Sequence, residues 1–141
     1  MMNAEIKYDD MQKALPCDQL IRLYKEAGWI HDDEPNPEHD ANFNIGHKNS
    51  TLVISAWNGG TLVGAVRVLS DTVFRSYLLG LVVAKEYQHG GIGRELVERC
   101  IAHYPDSHWL LGAADDAVGF YNKCGFIGDK GYLSIPGKYC S

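Results

Sequence analysis

The chain has 141 residues, and because a domain typically takes about 100–200 residues, we expect one domain over residues 1–141. Acidic residues outnumber basic ones by 18 to 13, and the formal net charge of −5 argues against nucleic acid as a partner, since phosphate binding needs clustered Lys and Arg. The longest apolar stretch, residues 77–84, is far shorter than the ~20 residues of a membrane-spanning helix, so no membrane partner is expected.

The N-terminal residues and the cysteines together indicate a reducing compartment. The first seven residues contain no apolar core behind a basic flank, so a secretory signal is not expected. The four cysteines, Cys17, Cys100, Cys124 and Cys140, lie far apart and form no Cys-x-x-Cys pair, which favours free thiols over disulfides. The same spacing argues against a zinc site. We therefore expect a cytoplasmic protein that holds no metal.

The first part of the chain predicts a strand followed by two helices. A short strand is expected at residues 4–8, and a helix begins at Pro16 and ends at Gly28. The apolar face of this helix is expected to comprise Leu20, Leu23, Tyr24 and Ala27. Residues 31–40 predict an acidic loop broken by prolines, which leads into a short helix through residues 43–45.

The middle of the chain predicts three strands. Strands at residues 51–57 and 61–69 flank Asn58-Gly59-Gly60, and these turn residues accept the positive φ angles that a tight hairpin requires. The next strand, residues 77–83, is apolar almost throughout, so we expect it to be buried on both faces.

The last part of the chain alternates helices and strands. An amphipathic helix is expected at residues 92–103 and a buried strand at residues 108–111. A short helix follows, which Asp115 or Asp116 would cap and Gly125 would end. Because the helices lie among the strands, the pattern predicts a mixed sheet with helices packed on it, of the α/β or α+β class.

The most informative stretch joins the apolar strand to the amphipathic helix. Gly90, Gly91 and Gly93 would let the backbone approach a ligand, and the first N–H groups of the helix lie beside the positive end of its dipole. Such a position favours an anion, and a phosphate or pyrophosphate fits best. Leu96 stands where a dinucleotide loop needs its third glycine, and no Gly-Lys-Ser/Thr follows. A tight turn that needs glycine for structural reasons alone is the alternative.

Two motifs of this region resemble a known family. Gln88-x-x-Gly91-x-Gly93 lies between the strand and the helix, and Phe120-Tyr121-x-x-x-Gly125-Phe126 follows in the short helix. In this order they resemble the GNAT N-acetyltransferase superfamily in its small bacterial single-domain form, and the resemblance covers nearly the whole chain. It implies the GNAT acyl-CoA N-acyltransferase fold, a mixed central β-sheet splayed at a bulge near Gly80 and flanked by about four helices. A glycine inside an apolar strand indicates a bulge or a close backbone approach, and a core glycine without function is the alternative.

The resemblance implies that acetyl-CoA is the co-substrate. Backbone N–H groups of residues 88–94 would hold its pyrophosphate, and its pantetheine arm would lie along residues 81–83 as an added strand. The implied contacts with acetyl-CoA are Leu81, Val82, Val83, Gln88, His89, Gly90, Gly91, Ile92, Gly93, Arg94, Phe120 and Tyr121. His89 stands where the family commonly has Arg or Gln, which weakens the attraction for phosphate slightly.

The resemblance also implies two catalytic groups. The Val82 N–H would stabilise the developing oxyanion at the bulge. Tyr121 would protonate the departing CoA thiolate, since a phenol with a pKa of about 10 carries its proton at pH 7. A tyrosine that only fills the core is the alternative for Tyr121.

The general base is left open. Gly80 stands where relatives often carry an acidic residue. Asp71, Glu86 and Asp115 are candidates, and for each of them a solvated loop charge is the alternative. The amine would otherwise reach the site neutral or lose its proton to a chain of waters.

These expectations describe an N-acetyltransferase that moves acetyl from acetyl-CoA to a primary amine by direct attack in a ternary complex. A small-molecule acceptor is expected, because 141 residues leave little surface beyond the core fold for docking a protein. The alternatives are acetylation of a protein N-terminus or lysine, and a catalytically silent acyl-CoA-binding sensor. The acidic residues of 31–40 would draw a cationic amine to the cleft, or else form a solvated loop. The oligomeric state, including a homodimer, is left open.

Overall fold

The computed structural model of the protein describes residues 5–30, 44–128 and 131–136, so the expectations for residues 31–40, Phe43 and Cys140 lie outside it. Within the described residues the strands form one six-stranded sheet, in the order in which they occur along the chain. The elements are β1 (Lys7–Asp9), α1 (Cys17–Glu26), α2 (residues 44–48), β2 (Leu52–Asn58), β3 (Thr61–Ser70), β4 (Arg75–Val83), α3 (Ile92–His103), β5 (His108–Ala113), α4 (Val118–Lys123) and β6 (Gly131–Ile135). Only β4 and β5 are parallel neighbours, so the predicted mixed sheet is confirmed.

The helices pack on both faces of the sheet. Alternate side chains of β3 point to opposite sides, so they show which helix lies on which face. Gly64 faces α3: a Cβ there would lie 3.1 Å from Leu96 Cδ1 and 3.2 Å from Ile92 Cγ2, so this glycine lets α3 approach the sheet closely. Arg67 points to the opposite face, where its guanidinium lies against Gly46 of α2. α1 packs against β3 and β4 on that same face.

The amphipathic patterns of the two longer helices are confirmed. In α1 the residues Leu20, Leu23 and Tyr24 are buried, and in α3 the buried residues are Ile92, Leu96, Val97 and Cys100. Trp109 of β5 is fully buried, and its indole Nε1 donates to the Tyr104 carbonyl at 3.0 Å. The core therefore lies on both sides of the sheet and fixes the strands that border the site.

β4 carries a bulge at the predicted glycine. Arg67 of β3 pairs with Leu79 and Ala65 pairs with Val82, so two residues of β4, Gly80 and Leu81, lie opposite a single residue of β3. The φ angle of Gly80 is +64°, a conformation that glycine adopts without strain. The predicted bulge is confirmed, and the interpretation as an ordinary core glycine is set aside.

The sheet opens beside this bulge. Only residues 75–77 of β4 pair with β5, and the described part of the chain places no strand along that edge of β4 after Tyr77. The expectation that this strand is buried on both faces is therefore wrong: Leu78 and Val82 are buried, whereas Leu81 and Val83 are only half-buried at the opening. A run of apolar residues lines a cleft here instead of crossing a closed core.

The helix α4 begins differently from the prediction. Asp115 and Asp116 lie in one turn of 3₁₀-helix, and the residue that precedes α4 is Ala117, with no side-chain hydrogen bond to the helix N-terminus. Neither aspartate caps the helix, because the 3₁₀ turn displaces both from the capping position. The predicted exit at Gly125 is confirmed by its φ of +103°.

Candidate active site

The opening of the sheet is continuous with a cleft of about 370 Å³ on the face of α3 and α4. Its lining residues are Leu81, Val83, Gln88, His89, Gly91, Gly93, Arg94, Ala117, Phe120 and Tyr121. The structure thus brings nine of the twelve residues expected to contact acetyl-CoA together in one cleft. Of the other three, Val82 and Ile92 are buried in the core and Gly90 lies in the loop behind the cleft.

The loop between β4 and α3 places unsatisfied N–H groups at the cleft. The Gln88 side chain donates to the Val83 carbonyl at 3.1 Å and ties the loop to the strand. Gly91 has a φ of +92° and precedes α3, and no side chain caps that helix. The first bond within the helix runs from the Glu95 N–H to the Gly91 carbonyl, so the three preceding N–H groups have no intrahelical partner. These donors and the helix dipole make the beginning of α3 suitable for an anion.

Gly93 holds α3 and α4 together at the cleft. A Cβ at this position would lie 3.3 Å from Phe120 Cζ and 3.7 Å from Val83 Cγ2. A side chain at residue 93 would therefore push Phe120 into the cleft or separate the two helices. Gly93 therefore serves the packing of the two helices, and ligand approach at the glycines stays a prediction.

The direction of the backbone after the bulge determines which groups reach the cleft. The Ala84 N–H donates to the Val63 carbonyl at 2.8 Å, so these residues form a hydrogen-bonded pair of the antiparallel ladder. Hydrogen-bonded and non-hydrogen-bonded pairs alternate along such a ladder. The Val82 N–H is therefore directed to Ala65 in β3, whereas the N–H and carbonyl of Val83 point to the open edge.

The oxyanion donor expected at Val82 consequently needs correction. Val82 is 4% exposed and its N–H faces β3, so it cannot reach a group bound in the cleft. Leu81 lies within the bulge, has no partner in the β3 ladder and lines the cleft. The N–H of Leu81 replaces that of Val82 as the candidate donor.

Tyr121 lines the cleft from α4. Its ring contacts Phe120 and Phe126 edge-on, with centroid distances of 5.0 Å and 5.9 Å. Burial, and to a smaller degree the neighbouring Cys124, raise the pKa of the Tyr121 phenol to about 12. The hydroxyl therefore keeps its proton throughout the physiological pH range and can act as a donor but not as a base.

None of the three carboxylates considered as general bases lines the cleft. Asp71 holds the turn between β3 and β4, where the N–H groups of residues 73–75 donate to Oδ1 at 2.7–3.1 Å. These hydrogen bonds, that of Val73 first, lower the pKa of the Asp71 carboxyl and make it a weaker base. Glu86 and Asp115 are exposed in the two 3₁₀ turns. The geometry therefore favours the interpretation of all three carboxylates as solvated charges on loops or turns, and not as general bases.

Sequence reasoning missed two polar side chains on the other face of the sheet. A Cβ on Gly80 would lie 3.2 Å from the Tyr24 hydroxyl and 4.0 Å from Arg67 Nε, so both groups lie beside the bulge. Burial raises the pKa of the Tyr24 phenol, and the nearby Arg67 opposes this rise. The Tyr24 hydroxyl thus lies where an acidic side chain at position 80 would extend.

The described residues offer neither a metal cluster nor a membrane span. Among them, no group of three or more His, Cys, Asp or Glu side chains is arranged to hold a metal ion. None of the helices in the described ranges is long and apolar enough to cross a membrane.

Comparison with known proteins defines the class to which this fold and cleft belong. Residues 16–126 match the model of the acetyltransferase (GNAT) family, and the chain therefore belongs to that family. It is 33% identical over 140 residues to an uncharacterized N-acetyltransferase, ycf52, of Pyropia yezoensis, in a match that covers 92% of this chain and 77% of the relative.

Two solved structures share the fold at low sequence identity. One is an aminoglycoside 6′-N-acetyltransferase complexed with coenzyme A, with a TM-score of 0.70 and 17% identity over 92% of this chain and 96% of that one. The other is a GNAT family acetyltransferase from Brucella melitensis in complex with acetyl-CoA, with a TM-score of 0.70 and 13% identity over 99% of this chain and 92% of that one. The predicted family, the GNAT fold and the class of enzyme, an acetyltransferase, are confirmed.

Proposed function

We propose that this protein transfers the acetyl group of acetyl-CoA to the primary amine of a small molecule, by direct attack in a ternary complex. One observation carries the proposal. The edge of β4 at its bulge, which has no strand partner among the described residues, shares one cleft with the uncapped beginning of α3 and with Tyr121.

The two ends of the cleft fit the two ends of the co-substrate. The free N–H groups at the beginning of α3 bind the pyrophosphate, as helix N-termini commonly do. The pantetheine arm lies along the open edge of β4 and bonds to the backbone of Leu81 and Val83 as an added strand would. The Val83 carbonyl already accepts from Gln88 and has a second lone pair for this purpose.

The reaction needs one new bond and one broken bond. The neutral amine nitrogen bonds to the thioester carbonyl carbon, the carbon–sulfur bond breaks, and its electron pair leaves on the CoA sulfur. The amine loses one proton and the sulfur gains one, so the products are an N-acetylated amine and CoA with a free thiol. The Leu81 N–H at the bulge donates to the carbonyl oxygen while negative charge develops on it.

Tyr121 supplies the proton to the departing sulfur. A thiol has an ordinary pKa of about 8.5, so a phenol would be a poor donor to a thiolate in water. The same burial that raises the pKa of Tyr121 to about 12 also disfavours an uncompensated thiolate. The donor and the leaving group are therefore matched by their shared surroundings.

No carboxylate among the described residues lines the cleft to take the proton of the amine. An alkyl amine has a pKa of about 10, so a small neutral fraction is present at pH 7 and grows as the pH rises. We propose that the enzyme binds this neutral fraction or passes the proton to water. Turnover then rises with pH toward the pKa of the amine.

A small acceptor is supported by one structural neighbour. The aminoglycoside 6′-N-acetyltransferase, whose name gives an aminoglycoside as its acceptor, has the same fold over 96% of its length. Acetylation of peptide amines and binding of acetyl-CoA without turnover are the alternatives that the test must separate.

The test measures thiol release from acetyl-CoA with small amines, with peptides that carry a free N-terminus or lysine, and without acceptor. We expect release that depends on a small amine and exceeds the rate with peptides. Faster release with peptides would contradict the small acceptor, and tight binding of acetyl-CoA without release for any amine would favour a sensor. Calorimetry with 3′-dephospho-CoA and pantetheine tests whether the beginning of α3 holds the pyrophosphate. The first compound, which has the pyrophosphate, should bind, and the second, which lacks it, should bind far more weakly.

A further inference from the structure

Arg67 is a cation at the bulge, on the face of the sheet opposite the cofactor cleft. Its side chain is half-buried, and its guanidinium lies between two glycines, 3.8 Å from a Cβ built on Gly46 and with Nε 4.0 Å from a Cβ built on Gly80. Because neither glycine has a side chain, the half-buried guanidinium fits between them.

Within the described part of the chain, the hydrogen bonds of Arg67 use few of its donors. Nη1 donates to the Ser50 hydroxyl at 3.3 Å, a long contact, and Ser50 in turn donates to the Gly46 carbonyl at 2.7 Å. A guanidinium has five N–H donors. No carboxylate of the described residues lies within 4.0 Å of Arg67. The ion pairs found among these residues lie on the exposed surface. A half-buried cation is stabilised by an anion, and a bound ligand can supply one.

The opening between β4 and β5 connects Arg67 to the reaction. Under the proposed function, the co-substrate occupies the face of α3 and α4, and its thioester lies at the bulge. The acceptor amine must then approach from the other face, beside Gly80, since the co-substrate fills the first. The groups that it meets there are the Tyr24 hydroxyl and the Arg67 guanidinium.

We propose that Arg67 binds a carboxylate of the acceptor, so that the acceptors of this enzyme are amines that also carry a carboxylate, such as amino acids. A planar guanidinium matches a carboxylate in two parallel hydrogen bonds, which fixes the orientation of the amine as well as its affinity. This inference rests on the proposed function, because it names the acceptor of the same site. Arg67 is a specificity-determining residue and takes no part in proton transfer.

The experiment compares matched acceptors that differ in charge alone. The pairs are glycine with glycinamide, β-alanine with β-alaninamide, 4-aminobutyrate with its amide, and the L-amino acids with their α-amides. They vary the distance between the amine and the carboxylate as well as the side chain. Thiol release is expressed per concentration of neutral amine, because an amide lowers the pKa of a neighbouring amine. We expect at least one acid to exceed its amide in kcat/KM by about 10-fold to 100-fold, the usual range for a charge-assisted hydrogen-bonded pair.

Substitutions at Arg67 assign the preference to this side chain. Arg67→Gln should bring the acid-to-amide ratio close to unity, and Arg67→Lys, which keeps the charge without the planar fork, should retain part of it. Arg99→Gln is the matched control, since Arg99 lies on the outer face of α3 in an ion pair with Glu95. Its acid-to-amide ratio should equal that of the wild type.

The outcomes separate this inference from the proposed function. Amides acetylated as fast as their acids, or an acid preference that survives Arg67→Gln, would overturn the role of Arg67 and leave the acetyltransferase standing. Equal losses on acids and amides, with a lower melting temperature, would show that Arg67 only supports α2. If Arg67→Gln does not fold, the ratio for Arg67→Lys decides. Binding of acetyl-CoA without acetylation of any amine would overturn both proposals.

Discussion

The two halves of β4 differ in what borders them. Residues 75–77 lie between β3 and β5 and are hydrogen-bonded on both edges, whereas residues 78–83 pair only with β3 and carry the bulge. In the first half, Ser76 is buried and its hydroxyl bonds to those of Ser70 and Ser107. The second half exposes backbone groups to a cleft. One strand is thus paired on both edges at one end, and at the other end, among the described residues, one of its edges is open to the cleft.

This division assigns distinct consequences to substitutions in the two halves. Changes to groups that line the cleft beside the open half should affect binding or turnover at little cost in stability, because these groups face the cleft and not the core. Changes in the paired half should affect stability and leave the chemistry intact. The substitutions that follow test this contrast in order of decreasing effect on turnover.

Tyr121→Phe should have the largest effect on turnover. The change removes one oxygen from the lining of the cleft and keeps the ring contacts with Phe120 and Phe126. General acid catalysis typically contributes about 10²–10⁴ in rate, so kcat should fall by a factor in that range. Acetyl-CoA affinity, measured by calorimetry, and the melting temperature should change little.

The control for that substitution is Tyr104→Phe, which removes the same oxygen at the far end of α3. It should leave kcat unchanged. If Tyr121→Phe stays within about twofold of the wild type while chemistry limits the rate, the ring only fills space and Tyr121 donates no proton.

Gly93→Val should have the second largest effect, on binding of the co-substrate. The new side chain meets Phe120 at 3.3 Å and Val83 at 3.7 Å and narrows the cleft from within. We expect the dissociation constant of acetyl-CoA to rise by about 10-fold or more, a loss of at least ~1.4 kcal/mol. Gly119→Ala is the control, because Gly119 is exposed on α4 with nothing within 4 Å of its Cβ position. An unchanged affinity in a folded Gly93→Val protein would remove this loop from the site.

The residues that line the cleft beside α3 could be predicted to lie together because they are close in the sequence. Gln88, Gly91 and Gly93 form one motif, and the bounds of α3 were predicted correctly from its amphipathic pattern and the glycine before it. Local patterns of this kind report local backbone conformation. The side of the cleft that faces the acceptor is built otherwise, since Tyr24 and Arg67 meet only through the packing of α1 on the sheet.

The misassigned oxyanion donor has a different physical cause. Side chains and backbone groups alternate along a strand, and a bulge adds one residue that shifts the alternation for everything after it. A bulge could be predicted at Gly80, but the phase of the residues beyond it depends on their pairing with β3. The bulge therefore directs the backbone N–H of Val82 to β3 and not to the cleft. The apolar run of residues 77–83 does not reveal this direction.

Ser76→Ala should leave turnover unchanged and lower the stability, which makes it the sharpest test of the paired half. The Ser76 hydroxyl lies 2.8 Å from that of Ser70 and 2.7 Å from that of Ser107, and both Ser76 and Ser107 are buried. Its removal leaves a buried hydroxyl without this partner, a loss of about 1–3 kcal/mol in the free energy of unfolding. For a chain of this size each kcal/mol lowers the melting temperature by about 2–5 °C, so calorimetry should show a clear decrease. The half-buried Ser134 provides the control, and Ser134→Ala should change the free energy of unfolding by less than about 0.5 kcal/mol. An altered kcat in Ser76→Ala at an unchanged melting temperature would show that the paired half takes part in the chemistry, and the division of β4 would then fail.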